Sequence, residues 1–314
     1  MIQLSKRLQA VAWLASGGPE FAEEPERSGE LAHAEESERS GELAHTEESE
    51  RSEELEQTET PRIRIRCVAD VGTDHGYLPI WLVEQGIAER AIAMDVRTGP
   101  LQRAQEHITE HQLGAYIETR LSDGLAALHR DEAQVVVIAG MGGATMSGIL
   151  EAGRSAIGPD TILVLQPQSE LYEFRRYLAT RNFMLLSEDM VEEDGKYYPM
   201  MKVRQKGGLL NNVAQDGSAC QSGNVRQENK MFAEKPLPYT ELELRYGPLL
   251  LRQKHSVLKK FLLWQLEQKE RILQQIRESK QEGSEHYEQA KRRVQREQEL
   301  QAEIAGIHQA LSFF

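Results

Sequence analysis

The stretch Ile65-Arg66-Cys67-Val68-Ala69-Asp70-Val71-Gly72-Thr73-Asp74-His75-Gly76 decides the fold. Its first seven residues read as a buried strand, the glycines that follow as a tight turn, and Gly76–Gln85 as a helix. Strand, glycine turn and helix open an α/β unit, which binds ligands beyond the carboxyl ends of its strands. Gly72 admits close approach of the backbone, and Gly76 is expected to let the next helix pack near the strand. A dinucleotide fingerprint would place G-x-G-x-x-G here and offer the helix terminus to a pyrophosphate. Asp70 and Asp74 surround the glycines instead; two carboxylates repel a diphosphate and suit the amine of a methionine-type ligand. The alternative is an ordinary turn with capping aspartates.

Working outward, apolar runs recur at Ala91–Asp95, Tyr116–Leu121, Val135–Ala139 and Ile162–Gln166. Helical stretches separate them at Pro100–His111, Met146–Ala152 and Leu171–Thr180. This alternation predicts a parallel sheet covered on both faces. Two further strands, Met184–Met190 and Tyr197–Val203, flank Glu192-Glu193-Asp194-Gly195, an acidic turn that suits a hairpin. A parallel series closed by such a hairpin is the layout of the Rossmann-like, class I methyltransferases, with a mostly parallel seven-stranded sheet.

The ends of these strands carry the other candidate ligand groups. Asp95 follows Asp70 by 25 residues, near the spacing at which dinucleotide folds place an acid on ribose hydroxyls. Ser122-Asp123-Gly124 follows the third strand, where Asp123 could accept from an adenine amine. Ala139-Gly140-Met141-Gly142-Gly143 follows the fourth, its glycines leaving room for a ligand against bare backbone. Each feature alone also fits a plain loop; their common position on one sheet edge favours a pocket.

Outside this core the chain is uneven. Residues 18–60 hold 16 acidic and 3 basic side chains, the whole net charge of −13, so the remainder balances at 34 against 34. Within them Glu26-Arg27-Ser28-Gly29-Glu30-Leu31-Ala32-His33 returns twelve residues later from Glu38 and decays from Glu50. One leucine per period is too little apolar surface to offset ordering. A solvated insertion grown by duplication is the favoured reading, an interaction tail or RNA mimic the alternative. Before it, Leu4, Leu8, Val11 and Leu14 mark an amphipathic helix rather than a signal peptide. Two cysteines support neither a disulfide framework nor a zinc site, and no apolar run is long enough for a bilayer. No metal, no membrane partner and a cytoplasmic location are expected.

Residues 206–240 read as a linker. Beyond them Leu258, Leu262, Leu266, Ile272 and Ile276 mark one helical stripe, and Leu300, Ile304, Ile307 and Leu311 another, with Gly283-Ser284 between. This predicts an antiparallel helical hairpin, a coiled coil, over 241–314. The expected organisation is thus a helix at 1–17, the acidic insertion 18–61, the catalytic domain 62–205, the linker and the tail.

The run Asp70 to Tyr77-Leu78-Pro79, with Ile138-Ala139-Gly140-Met141-Gly142-Gly143 and Leu165-Gln166-Pro167, resembles the TrmK family, bacterial methyltransferases acting on N1 of adenine at position 22 of tRNA. Val191-Glu192-Glu193-Asp194-Gly195-Lys196, Tyr198 and Tyr246-Gly247-Pro248 resemble it too. The likeness covers residues 1–17 and 62 to roughly 280; the acidic repeat and the linker depart from it. It implies S-adenosylmethionine as cofactor, bound by Asp70, Gly72, Thr73, Gly76, Asp95, Asp123, Gly124, Gly140 and Met141, and tRNA as partner. Adenine N1 owns an in-plane lone pair, so alignment is the main catalytic task. Asp74 and Gln166 are the candidates for the adenine amine, with His75 and Tyr77 stacking on the base or orienting Asp74. Arg7, Gly142, Gly143 and Tyr198 are the candidate substrate contacts. For Asp74 a helix cap, for His75 a structural histidine, and for Tyr77 and Tyr198 plain packing are the competing roles. The tail, 12 basic against 9 acidic residues over 249–314, is the expected RNA face. A small-molecule or protein methyltransferase of the same fold, or a non-catalytic scaffold, are the competing functions.

Overall fold

The computed structural model describes residues 2–17, 65–206, 237–278 and 287–314. The acidic repeat, most of the linker and the Gly283-Ser284 turn lie outside the described residues. Seven strands form one sheet: β1 (Ile65–Val71), β2 (Ala88–Asp95), β3 (Ile117–Leu121), β4 (Val135–Met141), β5 (Ile162–Pro167), β6 (Phe183–Glu193) and β7 (Lys196–Gln205). Their order is β3-β2-β1-β4-β5-β7-β6. The first five are parallel, and β7 runs antiparallel to both β5 and β6. The chain winds one way from β1 to β3 and the other from β4 to β5, so the crevice between β1 and β4 is the topological switch point.

Strand β4 shows why apolar runs become buried parallel strands. Val136 and Ile138 enter one core, with Met146 and Leu150 of α4 (Gly143–Ala152) and Phe174 and Leu178 of α5 (Leu171–Thr180). Val135 and Val137 point the other way, among Val11 and Leu14 of α1 (Lys6–Ser16), Leu78, Ile80 and Leu82 of α2 (Tyr77–Glu84), and Ile108 of α3 (Thr98–Glu110). The two-residue period puts alternate side chains on opposite faces, and both faces are covered. Leu4, Val11 and Leu14 are buried, so α1 belongs to the sheet's core despite the long insertion that follows it in sequence.

At the β6–β7 hairpin Asp194 and Gly195 both have positive φ, 50° and 70°, the two-residue turn whose twist matches its strands. Some boundaries differ from the sequence expectation. Strand β2 begins at Ala88, through the exposed Glu89 and Arg90, because backbone pairing with β1 carries charged residues that an apolar pattern omits. Helix α4 starts at Gly143 rather than Met146, its first turn held by packing rather than propensity.

The tail packs on the sheet's far end through α6 (Glu241–Tyr246), α7 (Pro248–Arg252) and α8 (Ser256–Glu278), with α9 (Tyr287–Leu311) alongside. Lys269 pairs with Glu303 and Arg277 with Glu297, which fixes α8 and α9 as antiparallel. Leu258, Leu262, Leu300 and Ile307 are buried as expected, but Ile272 is exposed and Leu273 takes its place. A helix turning 100° per residue carries the stripe from Leu262 through Leu266 to Leu273, not Ile272. Lys260, Lys269, Arg271, Arg277 and Arg296 each sit on a glutamate, so much of the tail's basic charge is already neutralised locally.

Candidate active site

The turn after β1 is bonded to its neighbour in a way that decides what it can hold. The N–H groups of Gly72 and Thr73 both donate to the Met94 carbonyl of β2, each at 2.8 Å. They are therefore withdrawn from the role such groups play in cradling a phosphate. The carboxyl of Asp70 is buried, and burial, with the Asp95 charge adding to it, outweighs the opposing Thr73 hydroxyl and pushes its pKa up to about 6. No ion pair to Asp70 occurs among the described residues. Thr73 Oγ1 is buried and makes no close hydrogen bond among the described residues, though it lies near enough to Asp70 to favour the charged carboxylate. A buried acid at the end of β1 with a hydroxyl beside it fits a ligand ammonium group, which can donate to both. Asp95 is buried too and accepts from the Arg97 N–H at 2.7 Å through Oδ1.

The other candidates lie along the same strand ends. Ser122 Oγ accepts from the Ala127 N–H and donates to the Gly124 carbonyl, which shapes the turn that leaves Asp123 exposed. Val96 and Leu121, beside Asp95 and Ser122, are 60% and 57% exposed; a flat ring laid there would cover them. The sequence motifs include neither, although an apolar residue directly after a strand-terminal aspartate is a visible signal. Across the switch point, a Cβ on Gly72 would lie 2.2 Å from the Met141 Cε, so the bare turn and the Met141 side chain meet there.

Several expectations are revised. Gly76 frees space for α3, not for the strand: a Cβ would lie 3.1 Å from that of Ala104. Asp74 is not the helix cap, because Gly76 occupies that position with no side-chain bond. Gly142 and Gly143 are bare for the chain's own sake. A Cβ on Gly143 would come 2.8 Å from the Ser169 carbonyl, and one on Gly142 3.0 Å from Ser169 Oγ. Both glycines thus seat α4 against the 169–170 turn, a reason for bare backbone that is independent of any ligand.

The catalytic candidates fall into two clusters that share no hydrogen bond among the described residues. In the first, Asp74 Oδ1 stands 3.4 Å from both His75 Nε2 and Arg103 Nη2, with the aspartate largely exposed. His75 and Tyr77 stack with centroids 5.2 Å apart, and His107 of α3 stacks on both. In the second, Gln166 is fully buried. Its Oε1 accepts from the Gly140 N–H at 3.2 Å and from Arg7 Nη1 at 3.4 Å, while Nε2 donates to the Pro167 carbonyl. In this arrangement the Gln166 Oε1, expected to meet an adenine amine, is engaged by Gly140 and Arg7 instead. Arg7 also lies 5.4 Å from the centre of the Tyr198 ring, so α1 brings both substrate candidates together. No sequence motif marks Arg103 or His107; their four-residue spacing on α3 is the only trace.

Among the described residues no helix is long and apolar enough to cross a membrane, and no group of three His, Cys, Asp or Glu could hold a metal ion.

The chain as a whole is similar to known proteins. Residues 55–201 match the family model described as a methyltransferase domain. The tRNA (adenine(22)-N(1))-methyltransferase of Bacillus subtilis is 32% identical over 209 residues, 67% of this chain and 78% of that protein. The crystal structure of the B. subtilis m1A22 tRNA methyltransferase TrmK shares the fold, with a TM-score of 0.63 at 24% identity over 99% of this chain and 100% of its own. A Streptococcus pneumoniae protein solved in complex with S-adenosyl-L-methionine reaches 0.62 at 25% identity, covering 98% and 100%.

Proposed function

The chain belongs to the tRNA (adenine(22)-N(1))-methyltransferase family, and from that premise we propose how its residues divide the work of methyl transfer. It is an S-adenosyl-L-methionine-dependent enzyme that methylates N1 of the adenine at position 22 of tRNA. The observation that carries the assignment of the pocket is the β1 turn, whose backbone donors are engaged by Met94 while a buried acid faces the switch point.

When bound, the cofactor supplies an electrophilic methyl group on a sulfonium centre. Asp70 and Thr73 hold its amine, Asp95 accepts from its ribose hydroxyls, and Asp123 borders its adenine beside Val96 and Leu121. Gly72, Gly76, Gly124, Gly140 and Met141 shape the walls. On the substrate side no residue need remove a proton from N1, which carries its own lone pair; the protein's task is to hold the base in line. Asp74, charged and open to solvent, favours the positive charge that grows on the ring as N1 is alkylated. His75 and Tyr77 keep Asp74 in place from one side. Tyr198 offers a ring face, held by Arg7, and Gln166 acts as a positioning residue that ties Arg7 to the Gly140 backbone. A folded tRNA is recognised by shape and phosphates, with the target base displaced from its stack. We infer a cytoplasmic location from the tRNA substrate.

The test is incubation with unmodified tRNA and methyl-labelled cofactor, followed by mapping. Label at N1 of adenine 22, lost when that base is replaced by guanine, is expected. Cofactor binding without any transfer to tRNA would point to a small-molecule or protein substrate and overturn the reading.

A further inference from the structure

His107 lies four residues beyond Arg103 on α3 and reaches back to the turn after β1. Its Nδ1 is 2.8 Å from the carbonyl oxygen of His75. A carbonyl oxygen only accepts, so Nδ1 carries a proton, and in the neutral ring Nε2 is the nitrogen left with the lone pair. The His107 ring also stacks 5.1 Å from Tyr77 and 5.6 Å from His75.

What this bond holds is an unfavourable piece of backbone. His75 has φ 64° and Gly76 φ 70°, two consecutive left-handed residues that swing the chain from β1 into α2. Glycine enters this region freely; histidine does so only where surrounding contacts offset the strain. The missing Cβ of Gly76 lets Ala104 of α3 sit directly against the turn, which brings His107, one helical turn further on, to the His75 carbonyl.

We propose that His107 is a positioning residue for the cofactor turn: its Nδ1–H fixes His75 in the left-handed conformation and so sets the direction in which Thr73 and Asp74 face the ligand. The inference rests on the reading that the Gly72–Gly76 turn holds S-adenosylmethionine. It gives α3 a part in cofactor binding that the strand-end motifs do not contain.

Three variants separate the bond from the ring. His107→Phe keeps the stack and loses the donor. His107→Asn puts an amide N–H close to the place of Nδ1 and loses the stack. His107→Ala loses both. Calorimetric titration with S-adenosylmethionine and thermal unfolding are measured for each full-length protein. His107→Phe and His107→Ala are expected to weaken cofactor binding about 3- to 10-fold, with His107→Asn restored to within about twofold of wild type. The unfolding midpoints of the Phe and Asn variants should lie within a few degrees of each other. Wild-type affinity in His107→Phe, or no rescue by His107→Asn, would overturn the proposal. So would an affinity loss that merely tracks the unfolding midpoint across all three, which marks a structural role. If the wild type itself fails to bind the cofactor, the reading of the turn falls and takes this inference with it.

Discussion

Arg175 Nε donates to Glu188 Oε1 across 2.9 Å with the two side chains 5% and 0% exposed, and this pair joins the catalytic sheet to the helical tail. Arg175 Nη1 also donates to the carbonyls of Leu244 and Arg245 at the end of α6. Glu188 Oε2 accepts from the N–H of Leu249 at the start of α7. Gly247 belongs to the same joint: its φ is 100°, and a Cβ there would lie 2.9 Å from both Glu188 oxygens.

Removing one partner leaves the other buried and uncompensated. Glu188→Ala or Arg175→Ala is therefore expected to cost roughly 3–5 kcal/mol, measured by denaturant unfolding. A loss below about 1 kcal/mol would show that the pair does not hold the joint. Gly247→Ala should also destabilise, because the added methyl meets the carboxylate in a conformation that alanine resists.

Asp70 links stability to pH in a direction opposite to most carboxylates. Its pKa is raised from an ordinary 3.8 to about 6, so the folded protein keeps this proton where the unfolded chain has lost it. Its contribution to stability thus falls as pH rises from about 4 to about 6 and stays low above that, a difference of roughly 3 kcal/mol at full burial. Asp70→Asn should unfold later than wild type at pH 7 and lose that advantage near pH 4. The cationic cofactor favours the ionised carboxylate, so wild-type affinity should rise through pH 6, and the asparagine variant should show a flat profile there. Parallel pH profiles for the two proteins would refute the assignment.

Asp74 is exposed and outside the sheet's core, so its removal tests chemistry more than folding. Asp74→Asn is expected to lower kcat about 10- to 100-fold while the Kd for S-adenosylmethionine stays within about threefold. Single-turnover transfer to tRNA, alongside calorimetry, separates the two. Undiminished kcat would remove Asp74 from the mechanism.

Arg7 and Gln166 should behave as one unit. Arg7→Ala withdraws the group over Tyr198, and Gln166→Leu leaves the Gly140 N–H without its acceptor. Each is expected to lower kcat/KM for tRNA about tenfold or more, and the double variant should fall little further, since contacting residues do not add. Cofactor affinity should hold in Arg7→Ala. Fully multiplicative losses in steady-state kinetics would show that the two act separately.

The α/β core was readable because buried parallel strands are written as apolar runs, here Val135–Ile138 and Ile162–Leu165, and an acid or glycine follows most of the parallel strands. Asp70, Asp95 and Asp123 could be nominated as ligand groups for the same reason: each is local to a strand end. The roles of Gly142, Gly143 and Gln166 were not readable, because what fills a glycine's empty space, or what occupies an amide, depends on segments far along the chain. Gln166 meets Arg7 across 159 residues, and His107 meets His75 across 32.

By itself, then, the sequence determined the order of strands and helices, the acidic strand ends and the turn at Asp70–Gly76, since these follow from patterns within a few residues. Only the tertiary structure decided that Asp74 caps nothing, that α1 carries Arg7 to Tyr198, and that α3 clamps a left-handed histidine. Those outcomes depend on which helix face meets which strand end, and that is set by packing of the whole core rather than by any local preference.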